Sequence, residues 1–257
     1  MTEASARPAR ARLLLNVALA GACAFAGGVA GWLWQSHRLA ADPAGSLSAG
    51  DRAAVEKVVE GYLMAHPEVL PRAMAELDKK QGHDQLAAVR ADVERAAMGT
   101  VLGNPTGKIT LVEFTDYACT YCRGSVADVD RLIAINPDLR VVVRELPILT
   151  PASTDAAKWA IAAAAQGRYA RFHAAMFETG RPSAETIAAA AQSAGLDLAV
   201  AQKVVADPAT EAELVRNLDL AKKLGFTGTP SWVVGDTIIA GAVGADKLAE
   251  AIADART

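Results

Sequence analysis

Val112-Glu113-Phe114-Thr115-Asp116-Tyr117-Ala118-Cys119-Thr120-Tyr121-Cys122 is the stretch on which the fold turns. Together with Ile109-Thr110-Leu111 it opens as a short, apolar, β-branched run, the pattern of a buried strand. It then passes through a polar turn into helix-competent residues, Val126, Val129, Leu132 and Ile133. Two cysteines therefore stand where a strand hands over to a helix. A thiol at that place has the free N–H groups and the positive end of the helix dipole beside it, which favours the thiolate of Cys119 as the attacking sulfur.

A Cys-x-x-Cys pair alone also fits half a zinc site or a haem attachment. A haem attachment needs His after the second cysteine, where Arg123 stands, and His37, His66, His83 and His173 show no ligand spacing that would complete a tetrahedral metal site. Cys23 is alone in an apolar segment. A redox dithiol is the reading that remains, with no metal and no cofactor beyond a Cys119–Cys122 disulfide.

Working outward, Asn104-Pro105-Thr106-Gly107 marks a turn between two extended pieces, and Leu139-Arg140-Val141-Val142-Val143-Arg144 reads as a second long strand. From about Ser153 to Leu224 only helical patterns occur, with breaks near Gly167, Gly180-Arg181-Pro182 and Asp207-Pro208. A hairpin follows, Ser231 to Val234 and Thr237 to Ile239 across Gly235-Asp236, and then a last helix from about Ala245 to Ala255. The order is strand, helix, strand, helical insert, hairpin, helix. This predicts an α/β class with a helical insertion at about 150–224.

At the other end, Arg7, Arg10 and Arg12 precede an uncharged run from Leu13 to Trp34. As a helix it would be about 33 Å long, enough to cross the hydrocarbon layer of a bilayer. The arginines put its N-terminus, 1–12, in the cytoplasm and all that follows outside. A cleaved secretory signal is the competing reading, since Ala22-Cys23-Ala24 resembles a cleavage site. Either way the domain is exported, held at the inner membrane by a single span at 13–34 or free in the periplasm. Residues 35–48 read as a linker. Val55, Val58, Val59, Tyr62 and Leu63 then recur at helical spacing up to Pro67, and a second pattern, Val69, Leu70, Ala73, Met74 and Leu77, resumes after Gly82 as Leu86, Val89 and Val93. Such stripes must pack on the main domain or on copies of themselves, and the place of this helical region, 49–98, between the apolar segment and the cysteine pair makes self-association, as an oligomerisation region, the more interesting option. With a net charge of −3 and no dense basic run after the N-terminus, nothing points to nucleic acid.

The stretch from Val112 to Cys122 resembles the active-site segment of the DsbA family within the thioredoxin superfamily. The resemblance extends to Arg144-Glu145-Leu146-Pro147-Ile148-Leu149 and to Gly228-Thr229-Pro230-Ser231, and covers about residues 99–257. It implies a thioredoxin-like catalytic domain. It further implies a cis Pro230 facing the cysteines, a Thr229 backbone that pairs with substrate, and a proton-handling role for Glu113, six positions before Cys119. Thr120 and Tyr121, between the cysteines, would meet substrate; they depart from the Pro-His of DsbA and leave the direction of electron flow open. Val58 to Leu63 and His66-Pro67-Glu68-Val69-Leu70 resemble the N-terminal region of ScsC-like relatives, which implies a homo-oligomer. The expected partners are exported cysteine-containing proteins and a membrane redox partner. Copper binding by the two thiolates, or a chaperone role of the N-terminal helices, is the alternative.

Overall fold

The computed structural model describes residues 48–256. The expected membrane segment, 13–34, lies outside the described residues; among those, no helix is long and apolar enough to cross a membrane. The described residues divide into two units, 48–71 and 72–256.

In the first unit, helix α1 (Ala49–Ala65) starts at Ser48, whose hydroxyl accepts the Asp51 N–H. It buries none of its residues. Val55, Val58, Val59, Tyr62 and Met64 are all exposed. Helix α2 (Val69–Ala87) does not stop and resume at Gly82, as the sequence suggests, but runs through it. The glycine is there for clearance: a Cβ on Gly82 would lie 2.2 Å from the Asp236 carbonyl oxygen of the hairpin. Past that point, within the second unit, Leu86, Val89 and, in the short helix α3 (Arg90–Glu94) that Val89 precedes, Val93 are all buried.

The second unit is built on a five-stranded sheet in the order β1-β3-β2-β4-β5. Its strands are β1 (Val101–Gly103), β2 (Ile109–Thr115), β3 (Leu139–Glu145), β4 (Ser231–Val234) and β5 (Thr237–Ala240). β2 and β3 run parallel across the crossover helix α4 (Thr120–Ile135), and the other pairs are antiparallel. Side chains alternate across the sheet. Val112, Phe114, Val142 and Val233 pack with Leu86, Val93 and Leu220 on one face. Leu111, Val141, Val143, Trp232 and Val234 pack on the other with α4, the insert and the last helix, α10 (Gly244–Asp254).

The helical insert comprises α5 (Pro151–Ala165), α6 (Tyr169–Thr179), α7 (Ala184–Ser193), α8 (Leu198–Val205) and α9 (Pro208–Lys223). Its breaks are caps. Thr150, Ser183, Asp197 and Asp207 each accept a backbone N–H of the helix that follows, and Pro151 and Pro208 occupy a first turn where no N–H is needed. Ala156, Ala160 and Ala163 of α5 let its neighbours approach closely.

Candidate active site

β2 ends at Thr115, and Asp116 then fixes the turn that delivers the cysteines. Its carboxylate accepts the N–H of Ala118 at 2.8 Å and those of Ile148 and Leu149 at 2.9 Å each. One side chain thus ties the loop before α4 to the loop after β3. Cys119 is the N-cap of α4, and its sulfur accepts the Cys122 N–H at 3.4 Å. The same sulfur is 3.2 Å from the Thr229 carbonyl oxygen, to which the thiol donates. The Thr229–Pro230 bond is cis, and the chain leaves it directly into β4. Pro230 and Thr229 are therefore beside Cys119, although 110 residues separate Thr229 from it in sequence.

Both cysteines are unbridged. Cys122 is fully buried, and burial pushes its thiol up to about 12. Hydroxyls of Thr115 and Thr229 nearby oppose that rise, and the Glu113 carboxyl adds to it. Tyr121, by contrast, is 69 % exposed, and Thr120 is exposed as well, so both face outward beside the reactive sulfur.

Glu113 is not a strand-end surface residue. It is 3 % exposed, level with Val143 of β3 and Trp232 of β4. Burial raises its carboxyl to about 8, against the opposing effect of the Thr115 hydroxyl. Thr115 Oγ1 lies close enough to Glu113 and Cys122 to favour the charged form of each, yet it is in a formed hydrogen bond with neither. A cavity of about 70 Å³ between α4 and α6 is lined by Glu113, Val129 and His173, with exposed Asp130, Ala170 and Ala174 at its outer edge. It is large enough for roughly two waters.

A second group of buried polar side chains adjoins the first, and sequence reading did not single it out as a site. Tyr117 and Tyr169 donate to the same oxygen of Glu145, Oε1, at 3.0 and 2.8 Å. Both phenol oxygens lie against His173 Nδ1, at 3.2 and 3.3 Å. Burial raises Glu145 to about 8 and lowers His173 to about 4. The signal was present in β3: Glu145 continues the inward-facing series Leu139, Val141, Val143 and so had to be buried. Tyr169 and His173, four apart on a helix, share a face. Among the described residues, no group of three or more His, Cys, Asp or Glu could hold a metal ion.

The family model for the DSBA-like thioredoxin domain matches residues 110–253, and that for the N-terminal domain of the copper resistance protein ScsC matches residues 51–82. A thioredoxin-like oxidoreductase from Silicibacter pomeroyi DSS-3 is 40 % identical, with a TM-score of 0.62 over 65 % of this chain and 97 % of that one. A linker-deletion mutant of Proteus mirabilis ScsC is 27 % identical, with a TM-score of 0.62 over 82 % of this chain and 97 % of its own. Among curated proteins, a Na(+)/H(+) antiporter, NhaA 3 of Salinispora tropica, is 28 % identical over 160 residues, and the match spans 24 % of that protein's length.

Proposed function

Because the chain belongs to the DSBA-like thioredoxin domain family and is an oxidoreductase, we propose that it exchanges disulfides with exported protein thiols through Cys119 and Cys122. The observation that carries this reading is the placement of Cys119: its sulfur is held between the Cys122 N–H and the Thr229 carbonyl, with Cys122 buried behind it. A substrate strand pairing with the Thr229 backbone would bring its own sulfur to Cys119, while Thr120 and Tyr121 flank it.

Starting from the disulfide form, a substrate thiolate attacks the Cys119 sulfur. The Cys119–Cys122 bond breaks, and Cys122 leaves with the bonding pair. Burial makes a Cys122 thiolate costly, so it takes a proton at once. Glu113, neutral below about pH 8, is the acid placed to give it. A second substrate thiolate then attacks the substrate sulfur of the mixed disulfide and releases Cys119. The protein has gained two electrons and the substrate one disulfide. A membrane redox partner would reoxidise the pair; running the sequence backwards reduces or isomerises. The site of action is an oxidising compartment outside the cytoplasm, and no cofactor beyond the two cysteines takes part.

Replacing Cys122 removes the second sulfur but not the one that bonds to substrate. Cys122→Ser is expected to accumulate mixed disulfides with cysteine-containing proteins, visible as thiol-sensitive adducts by mass spectrometry, and Cys119→Ser to form none. Adducts that persist in Cys119→Ser would reject Cys119 as the sulfur that joins substrate. The match of residues 51–82 to a copper resistance protein's domain favours one second reading, Cu(I) binding by the reduced pair. Competition with a Cu(I) chelator tests it: binding must vanish in Cys119→Ser.

A further inference from the structure

Glu113 and Glu145 stand on one face of the sheet. Glu113 and Thr115 are two apart on β2, and Thr115 is level with Glu145 on β3, so the parallel register points all three to the side that holds Cys122. The two carboxyls share that buried space, and the Glu113 carboxyl lies close enough for its charge to raise Glu145. Their partners differ. Glu145 Oε1 receives two phenol O–H groups, and its Oε2 is buried without a partner among the described residues; at Glu113 the Thr115 hydroxyl is the group that favours the anion. Each phenol has one proton and gives it to Glu145, so the His173 nitrogen facing both is the protonated one of a neutral ring.

We propose that Glu145, held by Tyr117, Tyr169 and His173, is a positioning residue that takes the first negative charge on this face and so keeps Glu113 in the acid form that protonates Cys122.

The physical reason is a difference in hydrogen bonding. Two donors aimed at a carboxylate favour its anion, and Glu113 has no comparable pair. Two carboxylates in one low-dielectric space do not readily ionise together, so the pair titrates as a unit and a charge on Glu145 postpones ionisation of Glu113. The other groups facing the pair do not replace this charge. Asp116 is committed to the Ile148 and Leu149 N–H groups, and its charge raises Glu145 by less than the two phenol hydrogen bonds lower it. His173 is neutral at working pH, and Asp130 is at the exposed edge of the cavity. Arg144, the neighbouring cation on β3, is engaged by Glu213 and Asn217. Tyr117 gives the arrangement its reach, since it lies two residues before Cys119 while Tyr169 and His173 come from the insert.

This inference rests on the Glu113 role proposed above, and the test separates the two. The full chain, labelled with ¹³C at glutamate carboxyls, is titrated by NMR, and the Glu113 signal is identified by its loss in Glu113→Gln. In parallel, the rate at which a cysteine peptide reduces the disulfide form is measured against pH, per peptide thiolate. The expected wild-type result is a Glu113 midpoint near pH 8 and a rate that falls above it. Glu145→Gln removes the charge, and Tyr169→Phe removes a donor that places it, so both are expected to lower the Glu113 midpoint and the limb of the rate profile together, by about one pH unit. A midpoint and limb unmoved in both variants, while Glu113→Gln abolishes the limb, would overturn this inference alone. A limb that survives Glu113→Gln would overturn the Glu113 role and this inference with it. A purely structural role for Glu145 would lower the melting temperature without moving either midpoint.

Discussion

At the residue scale the molecule places two carboxyls where an apolar side chain would cost less. A buried carboxyl kept neutral costs less than a charged one, and the raised value of Glu113 expresses that choice. The consequence for stability has a definite sign. A carboxyl near 4.5 in the unfolded chain and near 8 in the fold binds its proton more tightly when folded. Its contribution is therefore fully present below about pH 4.5 and is lost as pH rises towards 8. Glu113→Gln, which cannot ionise, escapes this loss. It is expected to be more stable than wild type by about 2–4 kcal/mol at pH 8 and near parity at pH 4.5 in denaturant unfolding. A wild-type advantage at pH 8 would show that Glu113 is not held neutral. In the sequence Glu113 stands out only through the DsbA resemblance, and Cys119 and Cys122 through their spacing at the end of a strand. The Glu145 group does not stand out, because Tyr117, Glu145 and Tyr169 meet only after β3 and the insert have packed, and no local spacing records such a meeting.

At the scale of elements, the strands and most helices were readable because their signals are local. Two of the insert's breaks fall at the turn residues that mark them, Gly180-Arg181-Pro182 and Asp207-Pro208, while the one between Ser193 and Leu198 was not read, and the hairpin turns at Gly235-Asp236. Gly82 misled because a glycine inside a helical pattern signals a break unless something packs against it, and here it is the Asp236 carbonyl. Helix α1 has an apolar set and nothing buried. Val55, Val58, Val59 and Tyr62, all exposed, match the segment assigned to the ScsC N-terminal domain. This is the basis for proposing self-association through that helix. A charge there should separate the copies: Val58→Glu in the full chain is expected to reduce the mass measured by light scattering to that of one chain, with the reactivity of Cys119 retained. A mass unchanged by Val58→Glu, or already that of one chain in wild type, would rule out self-association through α1.

At the scale of the whole molecule, a domain on the thioredoxin plan carries its dithiol at the end of β2, and the insert closes over the face that holds Glu113 and Glu145. The insert's contribution is chemical as well as structural, since Tyr169 and His173 come from α6. The claim on which all of this depends is that Cys119 and Cys122 form a reversible disulfide. The direct measurement is to equilibrate the protein in a series of glutathione buffers and quantify the disulfide by thiol trapping and mass spectrometry. One two-electron transition for a Cys119–Cys122 bridge is expected, with a midpoint between about −120 and −270 mV. Failure of the bridge to form at any poise would contradict it.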